Sequence, residues 1–79
     1  MLASEIEARL HDLFEEVFDE DAVITPDLAI GDLEGWDSIG HINLALAIER
    51  AFEIKLSPDE ISGMHDVAAI TSVIAGKAV

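Results

Sequence analysis

The sequence predicts an all-α fold, a four-helix bundle with a short third helix and a long first loop. Three observations carry that expectation. Apolar residues recur at three- and four-residue spacing over three separate stretches. Helix-start signals precede four segments. The single alternating run, Phe52-Glu53-Ile54-Lys55-Leu56, is too short and isolated for a sheet and reads as an extended connector that buries Ile54 and Leu56. With 79 residues and no internal repeat, the chain is expected to be one domain over residues 1–79. A domain of this size buries only about 60% of its unfolded surface, which leaves too little chain to enclose a large active site.

The first helix is expected from Ser4 to Phe18. Ser4 with Glu7 has the form of a capping box. Leu2, Ile6, Leu10, Leu13, Phe14 and Val17 then form one stripe, with Glu5, Asp12, Glu15 and Glu16 away from it. The cluster Asp19-Glu20-Asp21 opposes the helix dipole and should end the helix. From 19 to 36 no periodicity persists. Thr25-Pro26-Asp27 reads as a turn, and Ile24, Leu28, Ile30 and Leu33 are expected to pin the loop to the core. Asp27, Asp32 and Glu34 lack the spacing of an EF-hand loop, so a specific calcium site is not expected there.

The second long helix is expected from Ser38 to Phe52, with Asp37 as its N-cap. At 100° per residue, Leu44, Ala45, Ile48, Ala51 and Phe52 share one side. Ile39, Ile42 and Leu46 share another, beside Ser38 and Glu49. A surface helix needs only one apolar stripe. Either this helix is central and packs on both sides, or the second stripe is a partly exposed docking patch. The second account is favoured in so small a domain. Ser57-Pro58-Asp59-Glu60 is a compact helix start that Gly63 should end after about one turn. Asp66 can cap a last helix with Val67, Ile70, Val73 and Ile74 inward, and Gly76 should fray its end.

Composition excludes several functions. There are no cysteines, so a disulfide scaffold, a thiolate metal site and a protein-borne thiol nucleophile are ruled out. Seventeen acids against four bases give a net charge of −13. Such a chain repels nucleic acid and anionic membrane, and it steers toward basic surfaces. No apolar run reaches the ~18 residues of a membrane span, and the N-terminus lacks signal-peptide blocks, so a cytoplasmic monomer is expected. His11, His41 and His65 show no metal-site spacing, and no metal is expected.

Ser38 is the residue to weigh for chemistry. His41 lies three positions on and is a helical neighbour. A Ser–His dyad also needs an orienting acid, an oxyanion hole and a pocket. The nucleophile-elbow pattern fails as well, because Trp36 stands where its first Gly belongs. No catalytic residue is expected, and His41 should pack at the helix edge. As an exposed hydroxyl at a helix N-terminus, Ser38 faces unpaired N–H groups and the positive dipole end, which suit an attached phosphodiester. Asp37 is close enough to help hold a metal–phosphate arrangement during transfer. On chemistry alone, the plainer account of Ser38 as a first-turn residue after its cap stands slightly ahead.

Trp36-Asp37-Ser38-Ile39, followed by Ile42, Leu44, Ile48 and Phe52 with acidic Glu49, resembles the acyl carrier proteins, a phosphopantetheine-binding family. The family's Asp-Ser-Leu signature stands here with Ile39 in place of Leu. The similarity extends over nearly the whole chain, through the long loop, the Ser-Pro-Asp-Glu helix start and the last helix. The resemblance implies that Ser38 carries 4′-phosphopantetheine from coenzyme A, added by a phosphopantetheinyl transferase, and that the protein itself catalyses nothing. It implies that the arm holds acyl cargo as a thioester, with the acyl chain sheltered between the helices. It further implies docking of acyl-loading and acyl-using enzymes, which have basic surfaces, on Ile39, Ile42, Leu46 and Glu49, with Asp32, Glu34 and Asp37 adding charge. Gly40, Asn43 and Arg50 stand where fatty-acid synthase carriers often have acids. That departure points to a specialised, free-standing carrier for a lipid, polyketide, surface-polysaccharide or other secondary pathway. The alternatives are a peptidyl or aminoacyl carrier of the same fold, or an unmodified acidic helical adaptor.

Overall fold

The structure is a computed structural model that describes residues 2–19 and 24–77. Its elements in chain order are α1 (Ala3–Phe18), α2 (Ser38–Phe52), α3 (Pro58–Gly63) and α4 (Val67–Lys77). The bundle with a short third helix and a long first loop is therefore as expected. No strand occurs among the described residues, only an isolated bridge between Ala29 and Asp66. No helix among them is long and apolar enough to cross a membrane.

α1 buries Ile6, Leu10, Leu13 and Phe14, the spacing that predicted it. Its start differs from expectation. The helix begins one residue earlier, and Ser4 lies inside the first turn, where it forms no cap. The Leu2 carbonyl instead accepts from the N–H groups of Glu5 and Ile6, both at 3.1 Å. The Leu2 side chain, expected in the stripe, is exposed, because none of the described elements reaches beyond the first turn to cover it. Asp19 ends the helix in the left-handed region at φ 50°, and its N–H reaches Glu15 O at 2.8 Å. The remaining acids of that cluster, Glu20 and Asp21, lie outside the described residues.

The long loop is stitched to α4 by its backbone. Leu28 O accepts from Val67 N and Pro26 O from Ala68 N, each at 2.9 Å. Asp66 Oδ1 accepts from Ala69 N at 2.7 Å. These acceptors satisfy donors that the first turn of α4 leaves unpaired. Ile30 N donates to His65 O at 3.0 Å while the Ile30 side chain points outward, so its predicted pinning role falls to its backbone. Leu33 is buried as expected, and Ile24 and Leu28 are half-buried against the core.

α2 crosses this frame with Leu44, Ala45, Ile48 and Phe52 inward. Ala51, expected on the same side, is exposed, because it lies at the edge of that stripe where α2 leaves the core. Arg9 of α1 closes the edge, with its guanidinium 5.6 Å from the Phe52 ring centre. In α3 both halves of the Ser57–Glu60 capping box are formed, at 3.2 and 2.8 Å. Glu60 also pairs with Lys77 at 3.0 Å. The Ser57 N–H foremost, then Lys77, holds its carboxyl below the ordinary value. α4 buries Val67, Ile70 and Ile74, with Val73 half-buried. It runs on to Lys77, so Gly76 is a helical residue and not a fraying point. Ile54 and Leu56 of the connector are half-buried.

Candidate functional site

The segment 29–41 forms a tight corner between the long loop and α2. Asp32 Oδ2 accepts from Ala29 N at 2.8 Å, Gly31 N donates to Trp36 O at 2.8 Å, and Trp36 N donates to Leu33 O at 3.0 Å. These bonds fix the loop just before the helix. Trp36 is fully buried, a core role that its place in an aperiodic loop had not signalled. Its ring lies edge-on to Phe14 at 5.0 Å and stacks near Phe18 at 6.1 Å and His41 at 6.3 Å. Aromatic contacts of this kind contribute beyond their buried area.

Asp37 caps α2 as predicted. Its Oδ1 accepts from Gly40 N at 2.8 Å, and its carbonyl accepts from His41 N at 2.8 Å. Among the described residues, no protein acceptor takes the N–H of Ser38 or Ile39. Ser38 itself is exposed. Its first-turn neighbour Gly40 is buried, and a Cβ there would overlap the Gly35 carbonyl oxygen and press on the Phe18 ring. The sequence had suggested that Gly40 marks a missing docking acid. The structure gives it a packing reason instead.

His41 is buried more deeply than the helix edge expected for it. Its Nδ1 accepts from Trp36 Nε1 at 3.0 Å, and its Nε2 lies 2.8 Å from Ile61 O. An indole nitrogen only donates and a carbonyl only accepts, so the ring proton sits on Nε2. Both ring nitrogens are thus engaged away from Ser38, and neither can take its proton. A Ser–His hydrolytic pair is excluded on this geometry. Among the described residues, no group of three or more His, Cys, Asp or Glu could hold a metal ion.

One face of α2 runs outward from Ser38. Ile39, Ile42 and Leu46 are 74%, 57% and 50% exposed. The other predicted docking residues divide by what their side chains do. Glu34 is exposed. Asp32 is also exposed, but one of its oxygens is committed to the loop. Glu49 is half-buried, and its Oε2 accepts from Leu56 N at 2.8 Å, anchoring the connector. That bond joins residues seven apart across a helix end, which helical spacing alone does not reveal. Beyond Leu46 lies an open groove of ≈ 630 Å³ lined by Leu46, Glu49, Arg50, Glu53, Ile54 and Lys55.

Comparison with known proteins adds two positive findings. Residues 8–74 match the family described as a phosphopantetheine attachment site. The solution NMR structure of a holo acyl carrier protein from Geobacter metallireducens superposes with a TM-score of 0.81 at 28% identity, covering 89% of this chain and 82% of that one. No curated protein matches the chain.

Proposed function

The chain belongs to the phosphopantetheine attachment-site family, and on that footing we propose that Ser38 carries the arm and that the protein acts as an acyl carrier. It is a non-catalytic carrier protein whose cofactor is covalent 4′-phosphopantetheine. The observation that carries the choice of Ser38 is its position. It is the exposed first residue of α2, with unpaired N–H groups beside it and Asp37 capping the turn.

These residues fit the group. The Ser38 hydroxyl supplies the ester oxygen, and the N-terminal end of a 15-residue helix favours the phosphodiester charge. Asp37 uses Oδ1 for the cap, and its second oxygen would be available to a cation accompanying the phosphate during transfer. His41 cannot act as the base, so the transferase must accept the hydroxyl proton. When bound, the arm supplies a terminal thiol for thioester chemistry, which a chain without cysteine otherwise lacks.

Ile39, Ile42 and Leu46, with Glu34 and the free oxygens of Asp32 and Glu49, form the face offered to the transferase and to acyl-handling enzymes. Acidity around an apolar centre suits partners with basic surfaces. Exposed Arg50 breaks the acidic pattern. That charge supports a carrier in a specialised lipid or polyketide pathway over one that serves general fatty-acid synthase partners.

The direct test is intact mass after incubation with coenzyme A and a broad phosphopantetheinyl transferase. Wild type gains one phosphopantetheine and Ser38→Ala gains none. An adduct on Ser38→Ala, or none on wild type, overturns the assignment. A second expectation concerns Arg50. Arg50→Glu should raise kcat/KM with fatty-acid synthase enzymes in single-turnover acyl transfer, and an unchanged value counts against Arg50 as a selectivity element.

A further inference from the structure

Ser38 is presented by a loop whose anchor, Trp36, is tied to a second helix through one side chain. We propose that His41 is a positioning residue that links the attachment loop to the C-terminal end of α3, so that displacement of α3 is felt at Ser38. The consequence for modification rests on the assignment of Ser38 above; the link itself does not.

The link is two hydrogen bonds across one rigid ring. Trp36 Nε1 donates to His41 Nδ1 at 3.0 Å, and His41 Nε2 donates to Ile61 O at 2.8 Å. Trp36 lies two residues before Ser38, and its backbone is bonded to Gly31 and Leu33. Movement of the indole must therefore disturb the loop that sets Asp37 and Ser38. At the other end, Ile61 O is also the acceptor for Met64 N at 3.3 Å, the bond that closes α3. The ring joins the end of one element to the start of another.

α3 is the element most easily moved. It has six residues and no fully buried side chain. A helix this short does not hold by its own hydrogen bonds. Its other ties are the capping box, the Glu60–Lys77 pair at 3.0 Å and the half-buried Ile61. Such weakly held elements open first. An imidazole suits the link because its acceptor and donor point in different directions from a flat, buried ring. Phenylalanine fills similar space and offers neither group. Glutamine keeps one acceptor and one donor.

The test uses the only tryptophan of the chain, whose indole N–H gives a single cross-peak in a ¹⁵N spectrum. Removing the α3 cap with Ser57→Ala perturbs α3 from its far end. In the otherwise wild-type chain, Ser57→Ala should shift the indole peak and the Ser38 amide peak together. In the His41→Phe background, Ser57→Ala should leave both where that variant has them. His41→Gln should restore the joint response, and His41→Leu, which also offers neither group, carries the uncoupled comparison if His41→Phe does not fold. Equal responses in the His41→Phe and wild-type backgrounds, or no response in wild type, overturn the link.

Modification kinetics give the functional reading. Losing the tie lowers the fraction of chains with the loop set for the transferase, which raises KM and leaves kcat unchanged. His41→Phe should raise KM about fivefold, the weight of the lost Trp36–His41 hydrogen bond that holds the loop, with His41→Gln between it and wild type. An equal fall in kcat with KM constant overturns the positioning role. Absence of any adduct on wild type overturns the Ser38 assignment and leaves the spectral link standing on its own evidence.

Discussion

Leu44→Ala is expected to lower the unfolding free energy by about 2–5 kcal/mol, the usual cost of truncating a fully buried leucine. Leu46→Ala, two residues along the same helix, lowers it by less than ~1 kcal/mol, because half of that side chain is already in water. The contrast is large for this chain. Domains hold roughly 0.05–0.15 kcal/mol per residue, about 4–12 kcal/mol for 79 residues. Leu44→Ala therefore removes a large part of the total, and urea titration shows it as a lower midpoint at unchanged slope. The functional effects run the other way. Leu46 stands in the exposed row with Ile39 and Ile42, and if that row is the docking face proposed above, its truncation is expected to slow acyl transfer by partner enzymes while the fold persists. Equal destabilisation by the two substitutions would mean that α2 packs on both sides, and the docking face would have to be sought elsewhere.

That contrast could be drawn from sequence because helix geometry fixes side-chain direction. Once Ser38–Phe52 is a helix, Leu44, Ala45, Ile48 and Phe52 must part from Ile39, Ile42 and Leu46. The α3 start was equally legible, since a capping box is complete within four residues. The same local rule failed at Ser4, where the helix takes its first carbonyl from Leu2 and leaves the serine inside the first helical turn. The loop was harder still. Trp36 has no periodic neighbours to declare its direction, and its burial depends on Phe14 and Phe18 from α1. His41 needed Ile61, 20 residues away, to be seen as bonded at both nitrogens. At the candidate site, Ser38 and its cap were readable from adjacent residues. The support beneath them was not, because it is made by contacts between elements.

Gly40 puts that support to a test in which the sign of the result decides. In an exposed helix interior, Gly→Ala stabilises by about 0.5–1 kcal/mol, through reduced freedom of the unfolded chain and better helix propensity. If Gly40 were part of an open docking face, Gly40→Ala would do the same. The structure places its Cα against the Gly35 carbonyl and the Phe18 ring, where an added methyl has no room. A backbone carbonyl cannot turn aside as the tip of a side chain can, so the loop or the first turn of α2 must shift. Overpacking of this kind costs about 1–3 kcal/mol. Gly40→Ala is therefore expected to lower stability. Gly76→Ala, at a helical position with open space around it, is expected to raise stability by up to ~1 kcal/mol. Thermal melts of the two variants beside wild type give the answer. The displaced turn is the one that bears Ser38, so Gly40→Ala should also raise the transferase KM, and Gly76→Ala should not. Stabilisation by both would return Gly40 to the surface and with it the idea that its lack of charge, rather than its lack of a side chain, distinguishes this carrier from others of its family.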